Sequence, residues 1–273
     1  MPFRRTNGIK IYYEEHGKGE PVLLIQGLGY PSGMWFLQIP RLSRYFRTIT
    51  FDNRGVGRSD KPDEEYSIGL MASDAAELLQ AMGIEKAHVI GVSMGGYIAQ
   101  EMALQHPDTV DRLVLLATTC GGPEYLELTK DLWNETAALR GLPPDEMIRR
   151  GMALAAAPGF AQKHPELIER SVGIRLENLQ PLFAFNRQAA AAYQFSSKER
   201  AHLIRHPTLI LAGAEDRVMP FQLTKVLAET IPGATFTVYP DTGHLIFLER
   251  AQEINLAILK FLRGENEEDS IEG

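Results

Sequence analysis

The sequence has few of the features that mark secreted, membrane-spanning or metal-binding proteins. It contains one cysteine, Cys120, among 273 residues, which excludes a disulfide framework and a site built from several cysteines. No uninterrupted apolar run reaches the roughly 18 to 20 residues that a transmembrane helix needs. The first ten residues lack the apolar stretch of a secretory signal. We therefore expect a cytoplasmic protein without a membrane span.

Basic residues are also too few and too scattered to bind a phosphate backbone. The chain has 28 Lys and Arg against 35 Asp and Glu, a formal net charge of −7. Nucleic acids and anionic membranes are therefore not expected partners. Part of the acidity lies in 265–273, which we expect to be a disordered tail.

Short apolar runs alternate with helical patterns in most of the chain, which predicts an α/β fold with a mostly parallel central sheet flanked by helices. Strands are predicted at Ile9–Glu15, Pro21–Ile25, Arg47–Phe51, Ala87–Ile90, Arg112–Leu116, His206–Ala212 and Thr235–Tyr239. Helices are predicted at Ile68–Met82, Met94–Gln105, Pro220–Glu229 and Leu245–Leu262.

The alternation stops from about Gly121 to Glu199. This stretch shows no convincing strand, is rich in Ala, Leu, Met and Arg, and contains Leu142-Pro-Pro-Asp145 as a helix-start signal. The sequence therefore predicts a core formed by 1–120 and 201–264, interrupted by a helical cap at 121–200.

The segment Gly91-Val92-Ser93-Met94-Gly95 fits the pattern G-x-S-x-G. A predicted strand leads into it and a predicted helix leaves it, so the turn between them must be tight and must hold its serine in strained backbone space. The two glycines let strand and helix pack closely. The alternative is a glycine-rich turn whose serine only caps the helix. The context favours Ser93 as a nucleophile.

A serine hydroxyl needs a neighbouring base, and histidine suits this role near neutral pH. His244 follows the last predicted strand directly, at the sheet edge where ligands and catalytic groups collect. The other histidines lie in a buried strand (His88), before prolines (His106, His164, His206), in an N-terminal hairpin (His16) and in a polar connection (His202).

A carboxylate must orient that imidazole and stabilise its charged form. Asp216 follows the strand predicted at His206–Ala212, again at the carboxyl edge. Glu215 and Asp241 are rivals. Glu215 should point away if Asp216 points inward, and Asp241 is so near His244 that we expect it to shape the turn.

An acyl-transfer site also needs two backbone donors for the developing oxyanion, each worth roughly 2.7–4 kcal/mol of barrier. The amide of Met94, directly after the serine, is one candidate. The amide of Leu28, in the loop after the early strand Pro21–Ile25, is the other.

These segments together resemble the α/β-hydrolase superfamily over nearly the whole chain. The likeness is carried by the G-x-S-x-G turn, by the chain order Ser93, Asp216, His244, and by 52–59, which resembles the family's D-x-R-G-x-G-x-S loop. Residues 91–96, with Leu28-Gly29 and Met34-Trp35, are most similar to the branch of 3-oxoadipate enol-lactonases, small carboxylesterases and cofactor-free haloperoxidases.

The resemblance implies an enzyme that needs no metal or organic cofactor, with Arg54 and its loop in a structural role. One residue departs from the family pattern. Gln26 stands where most relatives have histidine, and we expect its amide to brace the loop by hydrogen bonds.

A serine at this turn implies an acyl-enzyme, whereas haloalkane dehalogenases and epoxide hydrolases use aspartate there. The expected activity is hydrolysis of carboxylic esters or lactones through acyl-Ser93. Three alternatives stay open: hydrolysis of a carbon–carbon bond in a vinylogous diketone, perhydrolysis with the same triad, and a slow ligand-sensing protein. The sequence indicates no oligomeric state.

The predicted cap suits a small, largely apolar ester or lactone, although helices this apolar mostly pack against each other. Its candidate pocket residues are Met147, Met152, Leu154, Phe160, Phe183, Phe185, Tyr193 and Phe195. Four arginines could meet a substrate carboxylate or face solvent: Arg149, Arg150, Arg175 and Arg187.

Overall fold

The computed structural model describes residues 2–265, so the predicted acidic tail lies outside the described residues except for Glu265. The strands are β1 (Phe3–Thr6), β2 (Ile9–His16), β3 (Pro21–Ile25), β4 (Arg47–Phe51), β5 (Ala87–Val92), β6 (Val110–Leu116), β7 (Thr208–Gly213) and β8 (Thr235–Tyr239). The helices are α1 (Ile39–Leu42), α2 (Ile68–Ala81), α3 (Met94–Gln105), α4 (Pro123–Ala137), α5 (Pro144–Ala155), α6 (Phe160–Lys163), α7 (Pro165–Glu177), α8 (Leu182–Gln194), α9 (Phe221–Thr230), α10 (Ile246–Glu249) and α11 (Ala251–Arg263).

The strands form a single sheet in the order β1-β2-β4-β3-β5-β6-β7-β8. β1 and β2 are antiparallel neighbours, β2 pairs antiparallel with β4, and the pairs from β4 to β8 are parallel. β5 lies near the centre, and all six of its residues are buried. A strand covered on both faces has no solvent side, which explains why the β5 sequence is apolar apart from His88. The predicted fold class is confirmed.

Helices cover both faces of the sheet. Side chains of α2, α3 and α9 pack on one face, around residues such as Leu79, Ile98 and Leu227. The other face is covered by α1, α10 and α11, whose Leu42 and Ile258 pack there. Because consecutive parallel strands all run in one direction, the loops after β3, β5, β7 and β8 lie at one edge of the sheet. We call this the carboxyl edge.

The stretch between β6 and β7 contains α4 to α8, which we call the helical insertion. The Pro-Pro-Asp signal marks the start of α5, as predicted. That the insertion forms a separate cap with bounds at 121 and 200 stays a prediction. No helix in residues 2–265 combines the length and the apolarity needed to cross a membrane.

The C-terminal end of the fold differs from the prediction of one closing helix, because the chain breaks at Arg250 into α10 and α11. Arg250 has a non-helical backbone (φ −128°, ψ 38°). Its guanidinium donates to Thr242 Oγ1 at 3.1 Å and to the Pro240 carbonyl at 3.2 Å. These side-chain hydrogen bonds to the preceding loop stabilise the break between the two helices. Helical periodicity in the sequence does not predict such a break.

Candidate active site

Ser93 occupies the turn between β5 and α3 with φ 57° and ψ −124°, a conformation that an L-residue rarely adopts. A Cβ on Gly91 would lie 2.2 Å from the Gly95 carbonyl oxygen, and one on Gly95 would lie 2.2 Å from that of Ile25. Only glycine fits at either position, as the sequence predicts. The Ser93 side chain makes no helix-capping bond, so the capping alternative is not what the structure shows.

The strained turn is fixed by hydrogen bonds from its own backbone. The Ser93 amide donates to the Leu116 carbonyl at 3.0 Å. The Ser93 carbonyl accepts from the Gly96 amide at 2.8 Å and from Thr118 Oγ1 at 2.9 Å. These bonds offset the cost of the conformation and leave the hydroxyl for the cavity that Ser93 lines.

His244 and Asp216 form a buried pair. His244 Nδ1 lies 2.9 Å from Asp216 Oδ2, and the two side chains are 8% and 0% exposed. The other carboxylate oxygen, Oδ1, accepts from the amides of Val218 and Met219 at 2.8 and 2.7 Å. A carboxylate can only accept a hydrogen bond here, so Nδ1–H is the donor, and this contact assigns the tautomer that leaves Nε2 as the basic nitrogen.

The rival acids lie elsewhere, as the sequence predicts. Glu215 is exposed, although its amide donates to the Thr242 carbonyl at 2.9 Å. Asp241 has a left-handed backbone (φ 50°) and shapes the turn before His244. Of the three carboxylates, Asp216 is the one that contacts the His244 imidazole, so the geometry favours it as the acid.

Among the other histidines, His88 is the most buried, and it lies away from the cavity. Its Nδ1 is 3.1 Å from Asp111 Oδ2, and its ring meets Phe46 edge-on at 5.7 Å. Burial lowers the pKa of His88, which favours the neutral ring. The structure therefore places it as a core residue at the opposite, amino end of β5.

The loop that carries His244 is held from behind by Glu249, a residue that the sequence reading missed. Glu249 Oε2 accepts from the Gly243 amide at 2.9 Å and from the Ala157 amide at 3.0 Å. Burial raises the pKa of Glu249, and the backbone donors oppose that rise. The His244 amide also donates to the Ala155 carbonyl at 2.8 Å. The only indication in the sequence is that Glu249 is the single acidic residue in the otherwise apolar run 245–249.

The oxyanion candidates Leu28 and Met94 both line the same cavity as Ser93 and His244. Within residues 2–265 neither amide donates a hydrogen bond. A Cβ on Gly27 would lie 3.0 Å from Ser93 Cβ and 3.4 Å from its Oγ, so this loop runs directly against the serine. Two amides without protein acceptors beside a serine hydroxyl are suited to a developing oxyanion.

The bracing role expected for the Gln26 side chain stays a prediction. The side chain is buried and its Oε1 accepts from the Gly27 amide at 3.3 Å, but its Nε2 has no partner among the described residues. The bond from Asn53 Nδ2, at 3.0 Å, is accepted by the Gln26 backbone carbonyl. The neighbouring Arg54 is also buried, and its guanidinium pairs with Asp74 at 2.5 and 2.8 Å. These contacts fit a structural role for the Arg54 loop.

The cavity has a volume of about 150 Å³ and lies between the carboxyl edge and the helical insertion. Of the eight apolar residues proposed from the sequence, Leu154, Phe185 and Tyr193 line it. The others are buried within clusters or exposed. Sequence reasoning missed several wall residues, which are Tyr30, Tyr125, Leu132, Trp133, Thr136, Gly151, Ala155, Ala189, Ala192, Val218 and Met219.

Of the four candidate arginines, Arg175 lines the cavity. Its guanidinium lies 4.5 Å from the centre of the Tyr30 ring, and no carboxylate of the described residues pairs with it. The other three pair with acids, as in Arg149–Glu169 at 2.6 Å and Arg187–Asp63 at 3.2 Å. The cavity therefore carries one cationic group opposite largely apolar walls.

Comparison with known proteins identifies the family. Residues 20–251 match the family model described as the alpha/beta hydrolase fold, and the chain belongs to this family. It is therefore a member of a hydrolase class whose relatives include lactonases, esterases and a depolymerase.

Individual relatives cover almost the whole chain. A Caulobacter sp. (strain K31) protein named carbamate hydrolase RutD is 29% identical, over 93% of this chain and 96% of the relative. A Mycobacterium tuberculosis protein named non-heme bromoperoxidase BpoC is 31% identical, over 93% and 97%. The structure of Est816, described as an N-acyl homoserine lactone degrading enzyme, is 30% identical and has a TM-score of 0.83, with 95% of this chain and 100% of that chain covered.

Proposed function

We propose that the protein is a serine hydrolase that cleaves carboxylic esters, lactones included, through a covalent acyl-Ser93 intermediate. The observation that carries the proposal is that His244, which lines the same cavity as Ser93, forms a buried pair with Asp216, with Nδ1 and Oδ2 2.9 Å apart. The backbone amides of Leu28 and Met94, which have no protein acceptor within residues 2–265, line the same cavity and supply the donors that an oxyanion needs.

The proposed reaction begins when Ser93 Oγ attacks the substrate carbonyl carbon while His244 Nε2 takes the hydroxyl proton. Asp216 keeps the other proton on Nδ1 and stabilises the imidazolium that forms. The Leu28 and Met94 amides donate to the carbonyl oxygen as it gains negative charge. His244 then returns its proton to the alkoxide leaving group as the carbon–oxygen bond breaks.

Deacylation follows the same path with water as the nucleophile. His244 Nε2 removes a proton from the water as its oxygen attacks the acyl carbonyl, and the proton returns to Ser93 Oγ as the acyl group leaves. The products are a carboxylic acid and an alcohol, or a hydroxy acid from a lactone.

The cavity supports a small substrate with an apolar acyl part or ring. A volume of about 150 Å³ is below the range of drug-sized pockets, and its walls include Leu132, Leu154 and Phe185. The likeness to Est816 favours placing lactones beside linear esters among the substrates. A cytoplasmic location stays a prediction.

The test is a panel of p-nitrophenyl esters from acetate to decanoate, with a matched set of lactones. We expect the highest kcat/KM at short acyl lengths and no turnover above background in Ser93→Ala. Ser43→Ala, a serine at the end of α1 away from the cavity, is the matched control and should retain full activity. Equal ester turnover in Ser93→Ala and the unaltered protein would refute the proposal.

A second candidate activity, perhydrolysis, is favoured by the likeness to the bromoperoxidase at 31% identity. In that reaction hydrogen peroxide replaces water in deacylation and gives a peracid. Peroxide-dependent bromination in acetate buffer that is faster than ester hydrolysis would select it. Turnover of a vinylogous dione that is faster than ester hydrolysis would indicate carbon–carbon bond hydrolysis. Covalent labelling of the serine without repeated turnover of any substrate would indicate a ligand-sensing protein.

A further inference from the structure

Gln188, on α8, is fully buried, and its amide joins the helical insertion to the carboxyl edge. Its Oε1 accepts from the Gly29 amide at 3.2 Å and from Gln180 Nε2 at 3.0 Å. Its Nε2 donates to the Arg54 carbonyl at 2.7 Å. One side chain therefore satisfies backbone groups on two separate loops of the core.

The Gly29 amide is the significant partner, because Gly29 directly follows Leu28 in the oxyanion loop. Gly29 has a left-handed backbone (φ 73°), and a Cβ there would lie 3.1 Å from Gln180 Oε1 and 3.4 Å from the Phe185 ring. The loop is thus pressed against α8 and hydrogen-bonded to it. A shift of Gly29 would move the Leu28 amide with it.

The same helix forms part of the cavity wall. Phe185, Ala189 and Ala192 line the cavity, and their spacing from Gln188 places all four residues on neighbouring turns of α8. Gln188 itself does not line the cavity. A substrate that packs on α8 therefore contacts the element that holds the oxyanion loop in place.

Because the Gln188 side chain is buried, losing any of its hydrogen bonds is costly. A buried amide that loses a partner costs roughly 1–3 kcal/mol, so the arrangement with all of these bonds formed is favoured over one in which α8 or the loop has moved. Oxyanion donors must also be positioned to within about 0.5 Å to be effective.

We propose that Gln188 is a positioning residue for the oxyanion loop, which couples the helical insertion that binds the acyl group to the donor geometry at Leu28. This inference rests on the proposed ester hydrolysis at Ser93. It assigns Gln188 no contact with the substrate.

The test compares Gln188→Met with Gln38→Met, the same change at an equally buried glutamine whose Nε2 donates to the Phe247 carbonyl and which makes no hydrogen bond to the oxyanion loop. We expect Gln188→Met to lower kcat on p-nitrophenyl acetate about 10- to 100-fold, less than the loss of a whole donor, with KM within about threefold. Gln38→Met should stay within about threefold in both constants. Each kcat refers to the folded fraction measured by circular dichroism.

A second readout separates positioning from general packing. A boronic acid forms a tetrahedral, negatively charged adduct with the serine and should lose affinity in parallel with kcat. The planar carboxylate product should keep its affinity. If Gln188→Met does not fold, Gln188→Asn, which withdraws the amide by one methylene, replaces it with the same expected loss.

Two outcomes overturn the Gln188 inference alone: unchanged kcat in the Gln188 variants, or an equal loss in Gln38→Met, while Ser93→Ala still abolishes turnover. Ester hydrolysis that persists in Ser93→Ala would instead remove the proposed function and this inference with it.

Discussion

The carboxyl edge and the helical insertion build the two sides of one cavity, but different forces fix them. At the edge the backbone itself leaves no freedom: a Cβ on Gly91, Gly95 or Gly243 would lie 2.2 to 2.4 Å from backbone atoms. In the insertion, a Cβ on Gly151 or Gly173 would meet nothing within 4 Å. The proposed catalytic groups thus lie where the backbone requires glycine, whereas the insertion helices α5 and α7 tolerate an added methyl group at these two positions.

The electrostatic contacts differ in the same way. Asp216 is buried and its oxygens have defined donors, whereas the insertion carries exposed pairs such as Arg149–Glu169 and Arg150–Glu146. Exposed pairs of this kind contribute roughly 0–1 kcal/mol each. Changes at the edge should therefore abolish activity or folding, and changes in the insertion away from the Gln188 contacts should alter selectivity or stability modestly.

Among the substitutions that test this difference between the two sides, Asp216→Asn should have the largest effect on kcat. The substitution keeps the side chain's shape but favours the wrong imidazole tautomer, so kcat should fall about 10⁴-fold. Steady-state kinetics with p-nitrophenyl acetate measure it, with Glu215→Gln as the control that should keep its rate. Normal activity in Asp216→Asn would assign the acid to another carboxylate.

Gly95→Ala should be the next largest change. The added methyl would lie 2.2 Å from the Ile25 carbonyl oxygen, so β3 or α3 must move, at a cost of more than about 4 kcal/mol. Urea denaturation followed by circular dichroism should show a large loss of stability or no folded protein. An unchanged transition would contradict the view that the backbone fixes this edge.

Arg175→Met should change selectivity without stopping catalysis. Among residues 2–265 the guanidinium has no carboxylate partner, and it lines the cavity. Esters with a carboxylate on the acyl chain should therefore show KM about tenfold higher in the variant, as loss of one charge-assisted contact implies. The neutral methyl-capped ester is the reference substrate, and Arg149→Met is the matched control. Equal changes in KM for the charged and the neutral ester would exclude a role of Arg175 in recognising a substrate carboxylate.

Gly173→Ala should have the smallest effect, and it should stabilise the fold where Gly95→Ala destabilises it. Gly173 lies within α7, and its added methyl meets no atom within 4 Å. Alanine in a helix interior is favoured over glycine by roughly 0.5–1 kcal/mol. Urea denaturation should show this gain with unchanged kcat. A loss of stability would show that α7 is packed as tightly as the carboxyl edge.

The same contrast explains what the sequence could predict. β3 and β4 have the predicted bounds because buried strands read as short apolar runs. β8, a partly exposed edge strand, also has the predicted bounds because it is rich in β-branched and aromatic residues. Strand β1 was not delimited, although the Asn7-Gly8 turn, with both residues at positive φ, is a hairpin signal. Ser93, Asp216 and His244 could be selected because each directly follows a strand of a parallel sheet.

The walls of the cavity could not be predicted in this way. Phe183, Phe185 and Phe195 lie in one apolar stretch of sequence, yet Phe183 is exposed, Phe185 lines the cavity and Phe195 stacks on Tyr97 at 4.5 Å. Periodicity reports that a helix has an apolar face but not what covers that face. Glu249 and Gln188 were missed because their partners are distant backbone amides and carbonyls.

The central claim, that Ser93 is the nucleophile of this cavity, is tested most directly by covalent labelling with a fluorophosphonate. Intact mass should show one adduct per chain, and peptide mass spectrometry should locate it on Ser93. The adduct should be absent in Ser93→Ala and should form far more slowly in His244→Ala. A label on another residue, or ester hydrolysis that continues at full rate after Ser93 is blocked, would contradict the account.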